Sequence, residues 1–150
     1  MLGNGGRSIE WRTRPGMHAA VAQFRVERER RAIGRLNDEI SEELRTTLPE
    51  NALRALQIAL DELLTNVLMH AEQAAGPIDV EIRRASDSVE AAIRYLAVAF
   101  DPTLWEPEDV DTVASSRIGG RGILLVRSLM DEFLYVHADG VNVVTIAKRW

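Results

Sequence analysis

Leu60 to His70 reads LDELLTNVLMH, an apolar helical pattern in which Glu62, Asn66 and His70 recur at every fourth residue. At 3.6 residues per turn that spacing projects all three from one side of a helix. Asparagine is a poor residue for a helix interior, because its amide competes for nearby backbone groups. A carboxylate, an amide oxygen and an imidazole in a row offer a base, a ligand for a hard cation and a donor that can face phosphate. A nucleotide carrying Mg²⁺ would use that set; an ordinary solvated helix face is the alternative.

Working outward, Leu53, Leu56, Leu60, Leu63, Leu64 and Val67 carry the apolar stripe of the same helix. The helix opens at Pro49, where a missing N–H costs nothing, and is expected to run to about His70. Before it, Ile33, Leu36, Ile40 and Leu44 fall three and four apart and predict a helix over 31–48, and AVAQFRVERE predicts a strand over about 20–28. After it, AAGP (74–77) breaks the pattern and IDVEIRR (78–84) alternates as a strand. VEAAIRYLAVAF (89–100) follows as a longer, more apolar strand across a short turn. A long irregular stretch, 101–122, precedes helical spacing from Ile123 to Met130. FLYVHA and VNVVTIAK then meet across Asp139-Gly140, a strong hairpin signal. Strands that pair as hairpins with helices gathered between them predict an α+β two-layer sandwich. Its sheet is expected to be mixed but mostly antiparallel, with the helices on one face.

The 150 residues suit one domain, expected over 19–150, with the Gly- and Arg-rich residues 1–18 as a mobile arm. A net charge of −5 argues against direct nucleic-acid binding, which needs a concentrated basic face. No cysteine is present, which removes disulfides and thiolate metal sites and favours a cytoplasmic address. No apolar run approaches the roughly 20 residues that span a bilayer, so no membrane role is expected. His18, His70 and His137 lie on separate elements without paired ligand spacing, which disfavours a metal hydrolase.

The second constellation is IGGRGILLVRSLMDEF (118–133), where glycines lead directly into a helix whose N-terminal N–H groups favour an anion. A flexible loop end would also use such a cluster. Taken with the Glu-Asn helix, the sequence resembles the GHKL superfamily, the ATP-binding domain shared by DNA gyrase, heat-shock chaperones and sensor histidine kinases. More narrowly, it resembles the anti-sigma-factor serine kinases. DELLTNVLMHA resembles the family's N box, AFDP (99–102) the end of its adenine-contacting box, and GGRGILLVRSLMDEF its second glycine box. The resemblance runs from about Phe24 to Arg149 and implies a Bergerat-type fold.

The resemblance also implies roles. Glu62 would be the general base that activates a protein serine, Asn66 a Mg²⁺ ligand, and His70 a residue further along the same site. Gly119, Gly120 and Gly122 would let backbone approach the phosphates of ATP, with 103–118 as the lid over them. Arg117 and Arg121 flank these glycines and could meet phosphate or an acidic partner, a solvated loop arginine being the commoner case. Thr145 matches a threonine that helps hold adenine. Trp105 would anchor the lid or touch a partner. The implied partner is a STAS-type anti-anti-sigma protein, with a sigma factor as a further one, in bacterial partner switching; relatives often pair through their sheets. One departure stands out. Tyr95 occupies the position of the adenine-binding aspartate, and Ala97 that of a glycine. Tyrosine cannot accept from the adenine amino group as a carboxylate does, and it fills more space. A kinase with weakened nucleotide affinity and a non-catalytic binding module of the same fold therefore both remain open, as does a lone apolar strand role for Tyr95.

Overall fold

A computed structural model of the chain describes residues 20–106 and 120–150. Its elements follow the order expected from the periodicities. Strand β1 (Ala20–Val26) leads into helix α1 (Arg30–Leu44) and helix α2 (Glu50–His70). A hairpin follows, β2 (Ala75–Arg84) and β3 (Ser88–Leu96), then a single 3₁₀ turn at Pro102–Leu104. Helix α3 (Gly120–Leu129) and the hairpin β4 (Glu132–Ala138) and β5 (Val141–Arg149) close the chain. Asp139 and Gly140 have φ of 52° and 77°, the left-handed pair that a two-residue hairpin turn requires and that glycine adopts without strain.

The five strands form one sheet in the order β1-β2-β3-β5-β4, and all four pairings are antiparallel. Among the described residues no parallel pair forms, whereas the sequence predicts a mixed but mostly antiparallel sheet. The last hairpin inserts β5 beside β3, leaving β4 at the edge. Directly opposed residues of an antiparallel pair share a face. The pairs Val26 with Ile78, Val80 with Ile93, and Ile93 with Val144 therefore define one inner face, and all of these side chains are buried. Against that face lie Ile33, Leu36 and Ile40 of α1 and Leu56, Leu60 and Leu64 of α2. Leu60 is fully buried, so truncating it to alanine would cost about 2–5 kcal/mol.

The opposite face of the sheet is open and divided. Its β1–β2 half is charged, with Arg25 bonded to Asp79 at 3.0 Å. Its β4–β5 half is apolar, with Leu134 and Val136 exposed. None of the helices among the described residues is long and apolar enough to cross a membrane.

Several boundaries differ from the sequence reading; helix α3, for one, begins at Gly120 rather than Ile123. Helix α1 ends at Leu44 rather than Leu48, in turns where the Thr47 hydroxyl donates to the Leu44 carbonyl. Strand β2 begins at Ala75 and carries Gly76 and Pro77, which were read as a break. Strand β3 ends at Leu96 rather than Phe100, because a buried side chain takes over the bonding of 97–100. The expected arm (1–18), Arg117, Gly119 and the 107–118 part of the expected lid lie outside the described residues.

Candidate functional site

Helix α2 buries Leu60, Leu63, Leu64 and Val67, and its polar residues flank that stripe. Glu62 and Asn66, one turn apart, are half-buried, whereas His70 in the last turn is exposed. The structure therefore brings Glu62 and Asn66 to the margin of the core and leaves His70 at the surface.

Helix α3 packs on α2 through its first turns. The Glu62 carboxylate lies directly against Gly122: a Cβ added to Gly122 would overlap Glu62 Oε2 and come within 3.2 Å of Cδ. The glycine run and the polar face of α2, separate in sequence, thus meet at one place. A hollow of about 420 Å³ beside Glu62 is bounded by Asn37, Gln57, Ile58 and Asp61. Gln57 Nε2 donates to the Asn37 carbonyl at 3.0 Å and to Ser41 Oγ at 2.7 Å, which fixes α1 against α2 there. A second hollow, about 390 Å³, lies on the open face of the sheet among Arg25, Asp79, Glu81 and Arg94, across the sheet from Glu62.

The histidine kinase-like ATPase domain model matches residues 26–148, a span that takes in α2, α3 and the whole sheet beyond β1. The chain belongs to that ATPase family. It is similar to the serine-protein kinase RsbW of Listeria monocytogenes, 34% identical over 100 residues covering 62% of this chain and 64% of the relative. The RsbW of Listeria innocua is 33% identical over 100 residues, covering the same shares. The serine/threonine-protein kinase BtrW of Bordetella bronchiseptica is 30% identical over 97 residues, covering 63% of this chain and 68% of the relative. The chain thus aligns with slightly less than two-thirds of the Listeria proteins' length.

The residues expected to contact adenine, Tyr95 and Ala97, sit at the end of β3 and just past it. Tyr95 faces the helical layer, 5% exposed, paired in register with Asn142. Burial pushes its hydroxyl up to about 12, with Tyr135 adding to the rise and the Arg28 guanidinium opposing it. A neutral phenol therefore stands at the position where the sequence resemblance implies a carboxylate. Ala97 is buried just past β3, and its N–H donates to the Gly140 carbonyl at 3.3 Å.

Asn142 is the residue that the sequence reading missed. Among the described residues it is the one fully buried polar side chain. Its Nδ2 donates to the carbonyls of Ala97 and Val98, at 3.2 and 3.3 Å. Its Oδ1 accepts from the Phe100 N–H and from the Tyr135 hydroxyl, which in turn accepts from the same N–H at 3.0 Å. These bonds replace the strand ladder and shape the 97–100 segment. The signal was available only as parity, since Asn142 lies two residues before Val144 on a strand whose facing was unknown.

Thr145 goes the other way. It is opposed to Ala92 and to the exposed Leu134, on the open face of the sheet. The structure does not bring it together with Tyr95 or with the Glu62–Gly122 contact, contrary to its expected place beside adenine. Arg121 is exposed on the first turn of α3, near but not part of that contact. Trp105 lies on the segment entering 107–119; its carbonyl accepts from Arg127 of α3.

For a magnesium nucleotide the donor set is suitable at one end. Among the described residues no group of three or more His, Asp or Glu side chains could hold a metal by itself. Mg²⁺ is typically held by one or two protein oxygens together with substrate phosphates, and the Asn66 amide oxygen suits that role. At the position expected to contact adenine, the buried Tyr95 ring stands in place of a carboxylate.

Proposed function

We propose that this protein is a serine/threonine protein kinase of the anti-sigma type. It would bind Mg-ATP, transfer a phosphoryl group to a serine of a STAS-type anti-anti-sigma partner, and so regulate sigma-factor-dependent transcription in a bacterial cytoplasm. The observation that carries this reading is the half-buried Glu62 carboxylate seated against the first turn of α3, with Asn66 one turn further along α2. The kinases RsbW and BtrW among the similar proteins support it.

In this reading, ATP with its metal supplies an activated phosphoryl group. Glu62 accepts the proton of the incoming serine hydroxyl, which reaches it beside the hollow of Asn37, Gln57, Ile58 and Asp61. Asn66 would hold the ion, and the backbone N–H groups at the start of α3, together with Gly119, Gly120, Arg121 and Gly122, would face the phosphates. Packing of α2 on the core fixes the base, so positioning rather than new chemistry does most of the catalysis. Glu62→Gln should lower phosphoryl transfer roughly 10²- to 10⁴-fold and leave nucleotide affinity nearly unchanged. Radiolabel transfer to a STAS protein measures the first and calorimetry the second. Equal transfer by both forms would refute the role of Glu62.

Tyr95 favours a second reading, a regulator of the same fold that binds its partners without transferring phosphate. A buried phenol in place of the adenine acceptor supports it. Absence of both ATP binding and transfer in the wild type would select it. In either case the exposed apolar strip of Leu134 and Val136 on the open sheet face is a suitable surface for pairing two copies.

A further inference from the structure

We infer that Gly122 is a positioning residue for Glu62: its missing side chain is the space in which the carboxylate sits. This rests on the reading of Glu62 as the base and adds what holds it. Gly122 lies in the first turn of α3 with ordinary helical backbone, so no left-handed conformation calls for glycine there. A glycine inside a helix is a poorer choice than alanine, because it loses more backbone freedom on folding. Its presence therefore needs a reason in space. The space is specific: a Cβ at Gly122 would meet Glu62 Oε2, Cδ and Cβ, whereas one at Gly34, the glycine within α1, would meet nothing within 4 Å.

Two consequences follow from that contact. The orientation of the carboxylate depends on α3 being seated on α2. Equally, the fit of α3 depends on the size of the side chain at 62. The glycine of this turn thus serves the base directly, besides any approach of backbone to phosphate.

The test is a double-mutant cycle on the full chain, read first by thermal unfolding, which does not need kinase activity. Gly122→Ala in the wild type should force the flexible Glu62 carboxylate aside and lower the unfolding midpoint relative to the same change made in a Glu62→Ala background. In a Glu62→Ala background the same change should leave the midpoint level or raise it, since the obstruction is gone and alanine favours the helix. The same shift in both backgrounds overturns the inference. If Gly122→Ala alone does not fold, a folded double variant supports the inference and an unfolded one overturns it. The second readout is kinetic. Gly122→Ala should reduce kcat towards that of Glu62→Gln, over and above any rise in the KM for ATP that comes from altering a phosphate-facing glycine, and add little further loss of kcat in the Glu62→Gln background. A raised KM with unchanged kcat would assign the glycine to phosphate binding alone and overturn the inference. A wild type that transfers no phosphate defeats the kinase reading while the thermal cycle still decides the contact.

Discussion

At the α2–α3 contact a carboxylate is left half-exposed against a glycine, whereas at the far end of β3 and β5 an amide is wholly buried and bonded through both its nitrogen and its oxygen. Among the described residues the Glu62 carboxylate shows no hydrogen bond, which suits it to receive a substrate proton or an ion. The second has no such capacity, because Asn142 already bonds the carbonyls and the N–H of the 97–100 segment. Saturated buried networks fix shape, and unsaturated polar groups at a margin are free to react. On the proposed reading, the Glu62 end is the one arranged for chemistry, and the Tyr95–Asn142 end is one of fixed backbone.

The largest effect expected is from Tyr95→Asp. Removing a buried ring should cost about 3–5 kcal/mol of stability, measured by urea denaturation with circular dichroism to confirm the fold. The same change supplies a charged acceptor and room beside it. Nucleotide affinity should then rise roughly ten- to a hundredfold, as a charged hydrogen bond of about 1.5–3 kcal/mol implies. Tight ATP binding by the wild type with no gain in the variant would show that both ends of the site work together.

Asn142→Leu tests whether the second centre is structural. It leaves two carbonyls without their amide donor and removes one acceptor of the Phe100 N–H, so unfolding should become easier by about 2–3 kcal/mol. Hydrogen exchange should quicken at 97–100 more than at α2. Uniform exchange across the chain would mean that the amide does not shape this segment in particular.

Alkaline titration sharpens the account of Tyr95. Its hydroxyl is raised from 10.0 to about 12 in the folded chain. Below pH 10 the phenol is neutral in both states, and its contribution is fully present. As pH rises from 10 towards 12 the unfolded chain ionises first, so stability falls across that window. Tyr95→Phe should flatten that decline, read from unfolding midpoints between pH 9 and 12; an unchanged slope would place the phenol in water.

The smallest effect belongs to Thr145→Ala. On the open face of the sheet, opposed to Leu134, it should leave ATP affinity within about twofold by calorimetry. A tenfold loss would mean that the adenine end reaches through the sheet, and the contrast between the two centres would fail.

The elements and their order were legible because spacing of three and four or of two records which side of each segment is apolar, whatever it later packs against. The DG turn fixed the last hairpin in the same local way. Glu62 and Asn66 could be singled out because polar residues recur on one side of an apolar helix. The facing of β5 was not legible: Asn142, Val143 and Val144 are all buried, so a strand with neighbours on both sides shows no alternation. Its register against β3 decides that Asn142, and not Thr145, meets the inner face. The Glu62–Gly122 contact likewise joins residues sixty positions apart. Local patterns carry the period of each element, but which residues oppose one another across elements is settled only when the layers pack, since a shift of one residue reverses every side chain.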